Sequence, residues 1–148
     1  MYFLGFDFGA SSGRAMLAGY DGNKIEIEEI HRFSNDPVYV NGVLYWDILR
    51  LFHEIKQGIL KAVQCGGFDC IGIDTWGVDY GYIDEDGALL GLPYCYRDSK
   101  NQWAMENCPM DFADMYKEAG LQQMNFNTAY QLYYDLQKRP KVVQAAKK

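Results

Sequence analysis

The chain has 148 residues, enough for one domain with a real core; 49% of them are apolar and 16% aromatic, including 12 tyrosines, a composition that argues against disorder. Its formal net charge of −6 disfavours nonspecific binding to nucleic acid and to an anionic membrane surface, because both rely on lysine and arginine. No basic segment followed by an apolar core opens the chain and no apolar run approaches membrane-spanning length, so a cytoplasmic setting is expected.

In chain order, Tyr2–Asp7 and Arg14–Tyr20 read as the strands of a hairpin. Asp21-Gly22-Asn23 is a turn signal, and Lys24–Phe33, with Ile25, Ile27 and Ile30 apolar among charges, reads as a third antiparallel strand. A loop is expected through Pro37 and Asn41-Gly42. Asp47 suits the N-cap of a helix running to about Gln64, with Ile48, Phe52, Ile55, Ile59 and Ala62 on its buried face and Gly66-Gly67 ending it. Cys70–Thr75 reads as a buried strand, too uniformly apolar for an edge.

Gly81–Asp84 and Ala88–Leu92 flank the turn Glu85-Asp86-Gly87, which predicts a hairpin; Pro93–Tyr96 is extended and Arg97-Asp98 reads as a local ion pair. The remainder is helical. Asp111 caps Phe112–Ala119 before Gly120. Asn127 or Thr128 caps a helix to Arg139, with Ala129, Leu132, Tyr133 and Leu136 as its core stripe. Pro140 starts another helix with Val142 and Val143 apolar, and the chain is expected to be cut off in mid-element after Lys148. Cys65, Cys70, Cys95 and Cys108 show no metal or redox spacing and are expected as free thiols, and His31 and His53 as structural residues.

Three meandering strands, a helix and a further strand beside the first make a ribonuclease H-like α/β half-domain: a mixed sheet with three antiparallel strands, flanking helices and an added β-hairpin. In that arrangement Asp7 and Asp74 stand on adjacent strands.

The loop between the first two strands carries the densest chemistry: Asp7-Phe8-Gly9-Ala10-Ser11-Ser12-Gly13-Arg14. A carboxylate at a strand end can hold a divalent cation, glycines let backbone N–H groups approach a phosphate, and the serines and Arg14 add donors and charge. The package reads as a hairpin that grips a metal-bound polyphosphate; an ordinary glycine-containing turn is the competing account. Asp7-Phe8-Gly9 spells a protein-kinase motif but lacks that family's lysine strand and catalytic loop, and no G-x-x-x-x-G-K-[ST] occurs.

Asp74-Thr75-Trp76-Gly77-Val78-Asp79 mixes carboxylates, a hydroxyl, an indole and a glycine. Such a segment suits a polyol, Trp76 covering the sugar's apolar face; a buried Trp at a strand end with solvated aspartates is the equal alternative. Two further classes stay open: a ribonuclease H-like nuclease using Asp7, Asp74 and Glu54 on the helix, and a non-catalytic actin-like nucleotide-binding module.

Those two segments, with Ile30-His31-Arg32-Phe33, Tyr45-Trp46-Asp47, Gly91-Leu92-Pro93 and Tyr96-Arg97-Asp98-Ser99, occur in an order that resembles the N-terminal part of the rhamnulokinase branch of the FGGY carbohydrate kinases, in the actin-like ATPase superfamily. The resemblance implies that residues 1–148 are an incomplete first kinase domain and that the full-length protein phosphorylates L-rhamnulose at its 1-hydroxyl; related FGGY sugars such as fuculose or xylulose are the alternative. It implies ATP and Mg²⁺ as cofactors, with Ala10, Ser11, Ser12, Gly13 and Arg14 at the ATP phosphates, Asp7 near Mg²⁺, and Trp76, Gly77 and Asp79 at the sugar. The family's catalytic aspartate would lie beyond Lys148, so this chain alone is expected to be inactive and, with apolar surface uncovered, to self-associate. Sugar and nucleotide are the implied partners, with no nucleic acid and no membrane.

Overall fold

The structure is a computed structural model in which residues 1–147 are described. In chain order the elements are β1 (Tyr2–Phe8), β2 (Ser12–Tyr20), β3 (Ile25–Ser34), β4 (Val38–Val40), β5 (Val43–Tyr45), α1 (Ile48–Gln64), β6 (Cys70–Thr75), α2 (Lys100–Asn107), α3 (Phe112–Ala119), α4 (Thr128–Lys138) and α5 (Pro140–Ala145). They divide into two compact units, one of residues 1–38 and 47–77, the other of residues 39–46 and 78–147.

The first unit is a four-stranded sheet of order β3-β2-β1-β6, β6 parallel to β1 and the other neighbours antiparallel. α1 covers one face of β1, β2 and β3. Strand alternation puts Leu4, Phe6, Phe8, Ala15, Leu17 and Phe33 on that face, packed against Leu51 and Ala62 of the helix. Asp47 caps α1 by accepting from Arg50 N at 3.0 Å.

Three readings of this unit need correction. First, all six residues of β6 are exposed and the strand is the sheet's edge, with Ile71 at 48% and Ile73 at 55% exposure. Register places both beside Leu4 and Phe6 on the core face, but α1 stops at β1. Second, the buried residues of α1 are Leu51, Glu54, Gly58 and Ala62, with Ile55 and Ile59 packed alongside, while Phe52 is 60% exposed and Ile48 lies outside the core. The buried face lies to one side of the apolar stripe and includes Glu54, which is held there by His31 and Arg50. Third, β3 carries a bulge: Ala15 pairs with His31 and Met16 with Glu29, leaving Ile30 extra. Ile30 therefore packs on the core while Ile25 and Ile27 are exposed on the opposite side of the break.

β4 and β5 form a two-stranded sheet around Asn41-Gly42, which are both at positive φ (50° and 83°); all of it but Val38 belongs to the second unit. That pair is the tight-hairpin turn, so the segment read as loop is a hairpin. The hairpin expected around Glu85-Asp86-Gly87 is reduced to one bridge, Ile83 to Leu89, with Asp84 as its organiser: Oδ1 accepts from Asp86 N and Ala88 N. α2, which follows the Tyr96-Arg97-Asp98-Ser99 segment, packs on α4, and α4 on α5.

The buried side of α4 is Tyr130, Gln131 and Asp135; Leu132 and Leu136 of the expected core stripe are 40% and 49% exposed. Polar residues win that face because each is satisfied there: Asp135 accepts from Tyr80 Oη at 2.9 Å, and Gln131 donates to two backbone carbonyls. Asp98 is likewise buried, and its carboxylate accepts from Leu44 N (2.6 Å) and Lys100 N (2.9 Å), so it organises the backbone on both sides of it. Among the described residues no helix is long and apolar enough to cross a membrane, and all four cysteines are free.

Candidate functional site

The loop from Phe8 to Ser12 is a tight reversal at the end of the β1–β2 hairpin, closed by Gly9 N donating to Ser12 O at 2.9 Å. One residue outside the hairpin braces it. Asn35, 4% exposed, donates Nδ2–H to Gly9 O at 2.9 Å, and its own N–H to Ser11 O at 3.0 Å. The carbonyls of Gly9, Ser11 and Ser12 are thus all engaged within the protein. Asn35 went unread in the sequence: its partner lies 26 residues away, and only the β2–β3 register (Ser12 opposite Ser34) delivers it to the loop.

Gly13 has a packing reason to be glycine. It pairs with Phe33, and a Cβ there would lie 2.1 Å from Phe33 Cζ. The bare backbone lets the Phe33 ring lie flat under the loop, in edge contact with Phe8 at 5.5 Å.

Asp7, Arg14, Arg32 and Asp74 form one row across the sheet, since Asp7 faces both Arg14 and Asp74 in register and Arg14 faces Arg32. Register partners share a face, and alternation sets this face opposite Phe6 and Phe8, away from α1. Arg14 Nη2 donates to Asp7 Oδ2 at 2.6 Å, the two side chains being 42% and 50% exposed. Next along, Arg32 holds the Glu29 carboxyl below its ordinary range through a forked pair. The row is therefore half-exposed and neutral overall, with two carboxylates at one end and two guanidinium groups at the other.

Glu54 lies on the covered face instead. Burial pushes its carboxyl up, but bonds from His31 (2.6 Å) and Arg50 outweigh that and hold it below the ordinary glutamate value. Lys61 Nζ meets His31 Nδ1 at 2.9 Å on the other side of the ring. Glu54 cannot join Asp7 and Asp74 from across the sheet, so the three-carboxylate nuclease arrangement is not formed. His31 is structural, as read, and among the described residues no three His, Cys, Asp or Glu side chains are grouped to hold a metal.

Of the expected sugar residues, Trp76 is half-buried and packs against the first unit's core. Gly77 is exposed in the same unit, and Asp79, in the second, accepts from Trp46 Nε1 at 2.7 Å. Between them Val78 has φ +70°, a conformation that a β-branched residue rarely adopts. Nothing in the sequence signals that strain.

Comparison with known proteins falls on the side of the motifs. The chain is 41% identical over 145 residues to a rhamnulokinase of Klebsiella pneumoniae (strain 342), which covers 95% of this chain and 30% of that protein. A rhamnulokinase of Mannheimia succiniciproducens is 44% identical over 131 residues (85% and 27%), and one of Enterococcus faecalis 42% over 141 (93% and 28%). This chain is similar to rhamnulokinases over nearly all its length. It spans about 30% of the length of these curated relatives. No family model matches it. Among solved structures, a ligand-bound xylulose kinase and a gluconate kinase, both from Lactobacillus acidophilus, each superpose with a TM-score of 0.83 over 99% of this chain and 30% of theirs, at 18% and 20% identity. At that identity the likeness shows the fold: a mixed α/β arrangement shared with sugar kinases.

Proposed function

We propose that this chain is the N-terminal part of the first domain of an ATP-dependent carbohydrate kinase acting on L-rhamnulose to give L-rhamnulose 1-phosphate. The observation that carries the reading is the 41–44% identity to rhamnulokinases. The loop chemistry supports it independently. In the proposal, residues Ala10 to Arg14 receive the phosphates of ATP: hydroxyls of Ser11 and Ser12 and backbone N–H groups donate, while Asn35 keeps the loop carbonyls occupied. MgATP supplies the phosphoryl group. Asp7, with Asp74 beside it in register, suits Mg²⁺, which is usually held by one or two carboxylates and the substrate's own phosphates rather than by a protein cage. The Asp7–Arg14 pair keeps both side chains beside the loop until a polyphosphate, the stronger partner for Arg14, arrives. Trp76, Gly77 and Asp79 contact the sugar, and the base that accepts the hydroxyl proton comes from polypeptide beyond residue 148. The setting is cytoplasmic.

The test is ADP release by the longer protein across a ketose panel. Highest kcat/KM with L-rhamnulose is expected, and Asp7→Ala lowers turnover by about two orders of magnitude or more with little change in the sugar's KM. Better turnover with xylulose or fuculose would overturn the sugar; Asp7→Ala with near wild-type turnover would overturn the loop assignment.

A further inference from the structure

We infer that Thr128 and Gln131 are positioning residues: they clamp the strained carbonyl of Val78 and thereby fix Asp79 for the acceptor sugar. The inference rests on the sugar-kinase reading of Asp79 and names residues which that reading does not.

The geometry lies within the second unit. Val78 sits at φ +70°, where its branched Cβ crowds the backbone, and such states persist only where the surroundings over-determine them. Here the Val78 carbonyl oxygen receives two side-chain hydrogen bonds, from Thr128 Oγ1 at 2.9 Å and from Gln131 Nε2 at 3.1 Å. Both donors belong to the first turn of α4, three residues apart and so on one side of the helix. Gln131 is 3% exposed, and its amide nitrogen also donates to Phe126 O at 2.9 Å, so both of its N–H donors go to backbone carbonyls. A buried amide that donates twice to main-chain carbonyls holds the main chain there.

One residue further on, the Asp79 carboxylate accepts from Trp46 Nε1 at 2.7 Å, and Trp46 is 2% exposed. Asp79 is therefore pinned from both ends: its preceding peptide by α4, its carboxylate by an immobile indole. An acceptor hydroxyl then meets a carboxylate whose position is set before binding, which is how a short segment supplies orientation. A relaxed Val78 would rotate the Val78–Asp79 peptide and carry the carboxylate away from Trp46.

The Trp46 indole N–H is the reporter, read by proton–nitrogen NMR on this chain. Thr128→Val, at an exposed position, is expected to shift that resonance and to speed its hydrogen exchange about tenfold, the scale of one hydrogen bond. Gln131→Leu does so more strongly, and Thr128→Ser restores the wild-type signal. In the longer kinase, Thr128→Val raises the ketose KM about tenfold while kcat and the MgATP KM stay put. An unmoved Trp46 signal in Thr128→Val overturns the clamp, and so do equal rises in the ketose and MgATP KM values. If the wild-type longer protein phosphorylates no ketose, the kinase reading fails, and the indole measurement decides the clamp by itself.

Discussion

Asn35 is the residue on which the loop's shape depends, and replacing it separates packing from donation. Asn35→Ala removes the donor to Gly9 O and leaves that carbonyl without its partner at a site where the side chain is 4% exposed. Stranding a buried acceptor costs about 1–3 kcal/mol. Asn35→Asp keeps the size but turns an acceptor toward the Gly9 carbonyl 2.9 Å away and buries a charge, so it costs more than the alanine change at neutral pH. Protonating that aspartate restores an O–H donor; its deficit should therefore shrink as pH falls below about 5, whereas the alanine deficit stays flat. Urea unfolding followed by tryptophan fluorescence suits the measurement, because Trp76 packs against the first unit's core. An Asn35→Ala cost under about 0.3 kcal/mol, or an Asn35→Asp variant as stable as the alanine one, would refute the brace.

Lys100 makes the second unit gain stability as pH rises above neutrality. Burial pushes its ammonium down to about 7, against the opposing pull of Asp135 and Asp98; its Nζ is over the Tyr94 ring and has no hydrogen-bond partner among the described residues. Between pH 7 and 10 the unfolded chain holds a proton that the folded chain lacks, so stability rises with pH, by at most about 1.4 kcal/mol per unit. Above pH 10 the burial-raised Tyr80 and Tyr94 hydroxyls reverse the trend. Lys100→Met should abolish the rise and be the more stable protein at pH 6; parallel pH profiles for the two in urea would sink this. Self-association is the outcome expected from exposed apolar faces: Ile71 and Ile73 on β6, and Leu49, Phe52, Leu60 and Val63 on α1. Light scattering should show oligomers that Ile73→Lys diminishes; monodisperse monomer at about 100 μM would contradict that.

The strands of the first hairpin and helix α1 were legible because local signals agree there: apolar runs bracket a polar loop, and Asp47 and Gly66-Gly67 punctuate the helix. What escaped depends on distant partners. Glu54, considered only as a third nuclease carboxylate, and Gln131, not singled out at all, owe their burial to partners far along the chain, His31 and the Val78 carbonyl. The segment Lys24–Phe33 was read as one alternating strand; the bulge at Ile30 and the change of face it makes come from the register with β2. β6 read as buried from its apolar composition, yet composition reports what a strand suits, not what covers it. At the candidate site, the motif residues were all nameable from the sequence, whereas Asn35 and the charged row through Arg32 emerge only once β3 is laid beside β2.

The most direct measurement is an NMR titration of this chain with MgATP into the millimolar range. The account predicts weak, saturable binding, with the largest amide shifts at Ala10 to Arg14 and at Asn35, and with much smaller shifts for the Asp7→Ala variant. Shifts concentrated elsewhere, or none at that loop by about 10 mM, a concentration that detects even affinities of about 4 kcal/mol, would contradict the claim that this hairpin holds the nucleotide's phosphates.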